Sequence, residues 1–252
     1  MVRTERIGPV TVLTIDRPER RNAIDGPTAD ELEHAFTRFA GDESARVLVV
    51  TGAGEEAFCA GADLFALETL RDRMDAPAGP LGFTRRLSPK PTIAAVSGWC
   101  VAGGLELALW CDVRIASPTA TFGCTERRFG VPLVDGGTQR LPRIVGAGRA
   151  LELVLTGRLV GAEEARAIGL VNEVVGHGRH LERALTMAEG IADFPQETLL
   201  SDRRALLEGL GVPLADGLEL ERRLGREQLH SALRGAERFR RGEGRGASGT
   251  GA

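Results

Sequence analysis

The sequence predicts an α/β fold with a buried sheet, followed by a helical C-terminal region. Short β-branched apolar runs alternate with segments of helical periodicity over residues 1–194, the pattern of strands covered by helices. From Pro195 onward the composition turns to Leu, Glu and Arg at helical spacing, with no further strand signal. Long glycine-rich connections separate the short strands, unlike the even beat of a doubly wound sheet.

The strands are expected at residues 10–15, 46–51, 92–96, 112–116 and 171–175, each a run rich in Val, Ile or Ala. The first helix, residues 27–40, opens with Pro27 in its first turn and places Leu32, Ala35, Phe36 and Phe39 on one face. Residues 147–155, 162–168 and 180–192 carry the same periodicity. In the C-terminal region Gly211 and Pro213 divide two helices, residues 196–208 and 214–233. Residues 71–81, with Pro77, Gly79 and Pro80, read as a mobile loop beside the site, and no internal repeat is evident.

The chain of 252 residues has 42% apolar and 27% charged side chains, which suits a globular protein with a sizeable core. Lys and Arg together number 32 against 35 Asp and Glu, so no net positive field favours nucleic acid or an anionic membrane. Lys90 is the sole lysine, which points to an arginine-rich coding habit. No segment reaches transmembrane length, and residues 1–12 lack the apolar core of a signal peptide. The cysteines, Cys59, Cys100, Cys111 and Cys124, form no CxxC pair. They read as buried free thiols in a reducing, cytoplasmic compartment.

Two glycine-rich stretches carry the chemical signal. One is Ala57-Phe58-Cys59-Ala60-Gly61-Ala62-Asp63-Leu64, and the other runs from Ser97 through Gly103-Gly104-Leu105-Glu106 to Ala108. Small residues let a ligand approach the main chain, and Gly103 stands where a helix begins, with its N–H free. Two such N–H groups converging on one oxygen make an oxyanion hole. Tight turns account for either stretch equally well on its own. Glu106 falls in the first helical turn, where it also serves as a dipole partner; Glu126 precedes Arg127 and Arg128, where a surface ion pair is the plain alternative.

These segments resemble the signature blocks of the enoyl-CoA hydratase/isomerase (crotonase) superfamily. The resemblance takes in Arg17-Pro18-Glu19-Arg20-Arg21-Asn22-Ala23, Phe58 to Leu64, Gly103 to Ala108 with Cys111-Asp112, and Phe122-Gly123 through Glu126 to Gly136-Gly137-Thr138-Gln139-Arg140-Leu141. A later block, Thr156-Gly157-Arg158 through Glu163 and Ala165 to Gly169-Leu170-Val171, extends it across residues 3–240. The resemblance implies a spiral of β-β-α turns over residues 1–194, trimer-forming helices over 195–239 and a disordered tail, 240–252. It implies a homotrimer or a dimer of trimers acting on an acyl-CoA. The oxyanion hole falls on Ala62 and Gly103, and the acid/base pair on Glu106 and Glu126. The coenzyme A arm falls along Arg21, Ala23, Ala60, Gly61, Asp63 and Leu64, with Pro132 and Asp135 in the site wall. No separate cofactor and no metal are expected, because coenzyme A enters with the substrate.

Departures from the family pattern narrow the reaction. The sequence has no tyrosine, and His34, His177, His180 and His230 lie outside the signature blocks as surface or helix residues. A third carboxylate eight residues after Glu126 marks dienoyl isomerases; Val134 stands there, with Asp135 adjoining. Residues 130–137 are bulkier than the usual hydratase loop. Hydration of a 2-enoyl-CoA is the leading expectation, with 3-enoyl to 2-enoyl isomerisation as its rival. A catalytically weak acyl-CoA-binding or scaffold member is the alternative of another class.

Overall fold

The computed structural model describes residues 1–243, which form two compact units, Met1–Ala188 and a second beginning at Glu189. Residues 244–252, where most of the expected tail falls, lie outside the described residues.

The first unit begins with a hairpin of β1 (Val2–Ile7) and β2 (Val10–Ile15). Gly8, at φ 54, supplies the left-handed backbone that its two-residue turn demands. Asp25 then caps α1 (Gly26–Gly41), its side chain accepting from the Thr28 N–H at 2.9 Å. The expected apolar face of α1 is buried. From β2 the six-stranded sheet continues through β3 (Val47–Gly52), β5 (Thr92–Val96), β7 (Val113–Ala116) and β10 (Glu173–Val174), all parallel. Parallel strands buried on both faces read as unbroken apolar runs, which is why such runs, rather than alternation, located β3 and β5.

A second sheet, of four strands, runs β4 (Ala57–Cys59), β6 (Trp99–Val101), β8 (Thr121–Gly123) and β9 (Val160–Gly161), with β9 antiparallel to β8. The two sheets grow together. Each long strand is followed by a short one that joins the other sheet, so β3/β4, β5/β6 and β7/β8 make successive turns of a spiral. This is the β-β-α spiral that the resemblance implies. The short strands, two or three residues each, are too brief for an alternation signal, and the repeat they generate is invisible in the sequence.

Helices α2 (Gly103–Trp110), α3 (Gly137–Val145), α4 (Ala147–Thr156), α5 (Ala162–Ala167) and α6 (His180–Asp193) complete the layers. The core packs Phe36 and Phe83 against Trp110, with ring centroids 4.6–5.5 Å apart. The second unit holds α7 (Gln196–Gly209), α8 (Leu214–Glu227) and α9 (Leu229–Arg240). The single helix expected over residues 214–233 is two. Gln228, at φ −96 and ψ 5, leaves the helical path, although its neighbours are ordinary helix formers. Among the described residues, no helix is long and apolar enough to cross a membrane.

Candidate active site

The spiral brings the ends of successive turns to one cavity of about 480 Å³, built within the first unit. From the first turn come Ala60 and Ala62, just past β4; from the second, Gly103 and Glu106 at the start of α2; from the third, Glu126, in a short 3-10 segment after β8.

The first two turns touch through glycine. Gly61 has φ +90, and a Cβ there would stand 2.7 Å from the nitrogen of Gly103. A Cβ on Gly103 would stand 2.5 Å from Cδ1 of Leu81 but only in ordinary contact with the Cα of Gly61, at 3.4 Å. The close approach of the two turns rests on the missing side chain of Gly61. Ala102, immediately before α2, takes φ 52 and ψ −128, a strained conformation for a residue with a side chain. Among the described residues, the N–H groups of Ala62 and Gly103 have no protein acceptor. Both residues are half-buried and line the cavity.

The two glutamates are held differently. Glu106 is 2% exposed, and its Oε1 accepts from the N–H of Gly137 at 2.7 Å and of Asp135 at 3.0 Å. Burial pushes its pKa up to about 7 against those two donors, and the negative charges of Asp135 and Glu126 add to the rise. Glu126 is 5% exposed, and neither oxygen has a hydrogen-bond partner. Arg127 Nη2 stands 3.9 Å from its Oε1, an ion pair beyond hydrogen-bond reach. Burial raises the Glu126 pKa too. A surface ion pair, the plain alternative for Glu126, therefore does not describe it.

Of the remaining expected positions, Leu64, Pro132 and Asp135 line the cavity, whereas Arg21, Ala23, Gly61 and Asp63 do not. Main-chain hydrogen bonds join residues 21–24 to the segment that carries Ala60 and Ala62. The Ala60 N–H donates to the Arg21 carbonyl at 3.0 Å, the Ile24 N–H to Gly61 at 2.8 Å and the Asp63 N–H to Ile24 at 2.8 Å. Arg17 pairs with Asp25 at 2.9 Å and with Asp63 at 3.0 Å, fixing the same junction from one side. The Arg21 side chain points outward to Glu56, at 2.8 Å. The expected loop, residues 71–81, does border the cavity, through Arg71, Met74, Pro80 and Leu81. Arg73 ties it to α1 by ion pairs with Asp30 and Glu33.

Sequence reasoning missed Thr84, Gly137 and Arg140. The Asp135 Oδ1 accepts from the Leu81 N–H at 3.1 Å and from the Thr84 hydroxyl, while Arg140 donates to the carbonyls of Asp135 at 2.8 Å and Thr84 at 2.6 Å. Gly137 was legible only as part of a block, because nothing local says that its N–H reaches Glu106. All four cysteines are free and buried, as expected, and burial raises each thiol's pKa, to about 12 for Cys59 and Cys124. His180 starts α6 but is 5% exposed, more buried than a surface reading allows.

Two buried carboxyls, Glu106 and Glu126, and the acceptor-free N–H groups of Ala62 and Gly103 thus belong to residues that line one cavity. The family model described as Enoyl-CoA hydratase/isomerase matches residues 5–242. A probable enoyl-CoA hydratase of Rhizobium meliloti is 43% identical over 87% of this chain and 86% of its own. A short-chain-enoyl-CoA hydratase of Clostridium acetobutylicum is 37% identical over 86% of this chain and 85% of its own. The crystal structure of an enoyl-CoA hydratase from Mycobacterium marinum superposes with a TM-score of 0.89 at 34% identity, covering 95% of both chains. The chain belongs to the enoyl-CoA hydratase/isomerase family of the crotonase superfamily. It is an enzyme of that family's hydratase kind, for which addition of water to an enoyl-CoA is the family-level reaction.

Proposed function

We propose that the enzyme adds water across the double bond of a 2-enoyl-CoA, giving a 3-hydroxyacyl-CoA, with Glu106 and Glu126 as the acid/base pair. The observation that carries this reading is the shared cavity: two buried carboxyls open on the same space as the acceptor-free N–H groups of Ala62 and Gly103. The thioester oxygen accepts from both N–H groups, which stabilise the enolate formed as water attacks the β-carbon. Each donor contributes about 3 kcal/mol to that charge.

The two carboxyls act as a coupled pair holding one proton near neutrality. Burial raises both pKa values, that of Glu106 to about 7, and in its ionised form Glu106, held by two N–H donors on Oε1, takes the proton of the attacking water. Glu126, which has no hydrogen-bond partner, delivers a proton to the α-carbon in its protonated form. One water is consumed: its O–H bond and the C=C π bond are replaced by one C–O and one C–H bond, with no net redox change. Leu64, Ala60 and Pro132 are assigned to the coenzyme A arm at the cavity wall. Arg21, Ala23, Gly61 and Asp63 support that arm, and Asp135 belongs to the wall. Coenzyme A enters as part of the substrate, and no other cofactor is required. The four free thiols support a cytoplasmic setting. A homotrimer, or a pair of trimers, is the assembly proposed.

Glu106→Gln and Glu126→Gln, each checked for folding by thermal melting, test the mechanism. Each is expected to remove hydration by roughly 10²–10⁴-fold, and the double variant to be little worse than the poorer single one. Full hydration in either folded single variant refutes the reading. One silent and one severe variant, with retained 3-enoyl to 2-enoyl conversion, assigns an isomerase instead.

A further inference from the structure

Asp135 is the third buried carboxyl in the cavity wall, beside Glu106 and Glu126, and the mechanism above gives it no work. It is 2% exposed, yet its Oδ1 already accepts from the Leu81 N–H and the Thr84 hydroxyl. A carboxylate so engaged is poorly placed to shuttle a substrate proton. Its main chain, however, reaches the catalytic carboxyl directly, since the Asp135 N–H donates to Glu106 Oε1 at 3.0 Å. One residue therefore grips the cavity loop with its side chain and Glu106 with its backbone.

The geometry points to Asp135 as a positioning residue that clamps Leu81 and Thr84 and thereby fixes the N–H groups on which the Glu106 carboxyl rests. The clamp is closed on all sides. Arg140 spans its two halves through the carbonyls of Asp135 and Thr84, and Arg85 donates to the Val134 carbonyl at 3.0 Å. Gly79 leaves room for it: a Cβ there would stand 2.6 Å from Thr84 Oγ1 and 3.2 Å from Asp135 Oδ1. Gly136, at φ +104, turns the chain so that the next N–H, that of Gly137, also meets Glu106.

The clamp has an electrostatic consequence. Glu106 is faced by the carboxyls of Asp135 and Glu126, by the Arg140 guanidinium and by the neutral Cys124 thiol. Asp135 itself is faced by Arg85, Arg140 and the Cys59 thiol. A negative charge on Asp135 raises the proton affinity of Glu106 and so strengthens it as a base.

The inference rests on the reading of Glu106 as the base, and two variants separate its parts. Asp135→Asn keeps a carbonyl oxygen for Leu81 and Thr84 but removes the charge. Asp135→Ala removes the clamp. For Asp135→Asn, the acid limb of the kcat/KM profile for a short 2-enoyl-CoA is expected to shift to lower pH. For Asp135→Ala, kcat is expected to fall at least about tenfold with KM little changed, because Glu106 acts on the water and not on substrate binding. A folded Asp135→Asn enzyme whose acid limb coincides with the parent's overturns the electrostatic part. Parental kcat in Asp135→Ala overturns the clamp; if that variant does not fold, Thr84→Val, which removes the hydroxyl that Asp135 grips and leaves the carboxylate in place, decides it by the same loss of kcat. Glu106→Gln run alongside keeps the two failures apart: if it retains hydration, the assignment of the base has failed, not the clamp alone.

Discussion

Replacing Gly137 by Ala tests the seat of Glu106 with a single methyl group. Gly137 opens α3 without a left-handed φ, so its backbone accepts alanine, and the whole perturbation is contact. The new Cβ would stand 2.9 Å from both Cγ and Oε1 of Glu106 and 3.2 Å from Cδ. Glu106 must move by at least about half an ångström to restore van der Waals separation. It then loses one or both of its N–H donors, at 2.7 and 3.0 Å. Hydrogen bonds to a charged group are worth about 1.5–3 kcal/mol each. If that loss falls on the transition state, kcat drops by about tenfold for the smaller figure and by about 10⁴-fold for both bonds together. The assay is the decay of conjugated-thioester absorbance with a short 2-enoyl-CoA, beside thermal melting and the exposed neighbour Thr138→Ala as control. A folded Gly137→Ala enzyme with parental kcat would refute the argument that this carboxyl must be held where it is.

Asn22→Ala should destabilise the fold by about 3 kcal/mol or more, because Asn22 is fully buried and its amide serves Ala53, Ala57 and Arg17 main-chain groups, all left unpaired; a loss below about 1 kcal/mol in urea titration contradicts this. The raised Glu106 pKa makes a second stability statement. Its stabilising contribution is complete below the ordinary carboxyl range and is lost as pH rises from there through about 7. Glu106→Gln should therefore melt higher relative to the parent at pH 8 than at pH 5, and an equal difference at both pH values would show the shift to be absent. The second unit exposes Leu206, Leu210, Leu214, Leu218, Leu229 and Leu233, more apolar surface than an isolated helical unit tolerates. Light scattering should give a mass at a multiple of three chains, and a clean monomer at micromolar concentration would count against the trimer.

Elements with enough residues to show a period were legible in the sequence. The buried strand at Thr92–Val96 and the Leu32/Ala35/Phe36/Phe39 face of α1 follow directly from it. Strands of two or three residues, such as Val160–Gly161, have no period to show. Helix α3 escaped because it starts on glycines and carries Pro142 inside it, both signals for a helix boundary. At the site, Glu106 and Glu126 were legible as residue types within recognisable blocks. What each is bonded to was not. The pairing of Asp135 with Leu81 joins positions 54 apart in sequence, and no local pattern encodes such a meeting. Asp63 shows the converse limit: its place in a block suggested ligand contact, whereas its carboxylate is already taken by Arg17.

The close crossing of Gly61 and Gly103 has a consequence for how this protein can change. The N–H groups that face the cavity belong to the main chain, so nearly every substitution at position 62 leaves its donor in existence. Their direction is set instead by the torsions at positions 61 and 102 and by the absence of a side chain at Gly61 where the two turns meet. The cavity walls are different, built from ordinary side chains such as Met74, Phe129 and Val131. Substitutions in those walls can therefore recut the cavity while the proposed main-chain donors stay put, leaving the appetite of the enzyme more malleable than its chemistry.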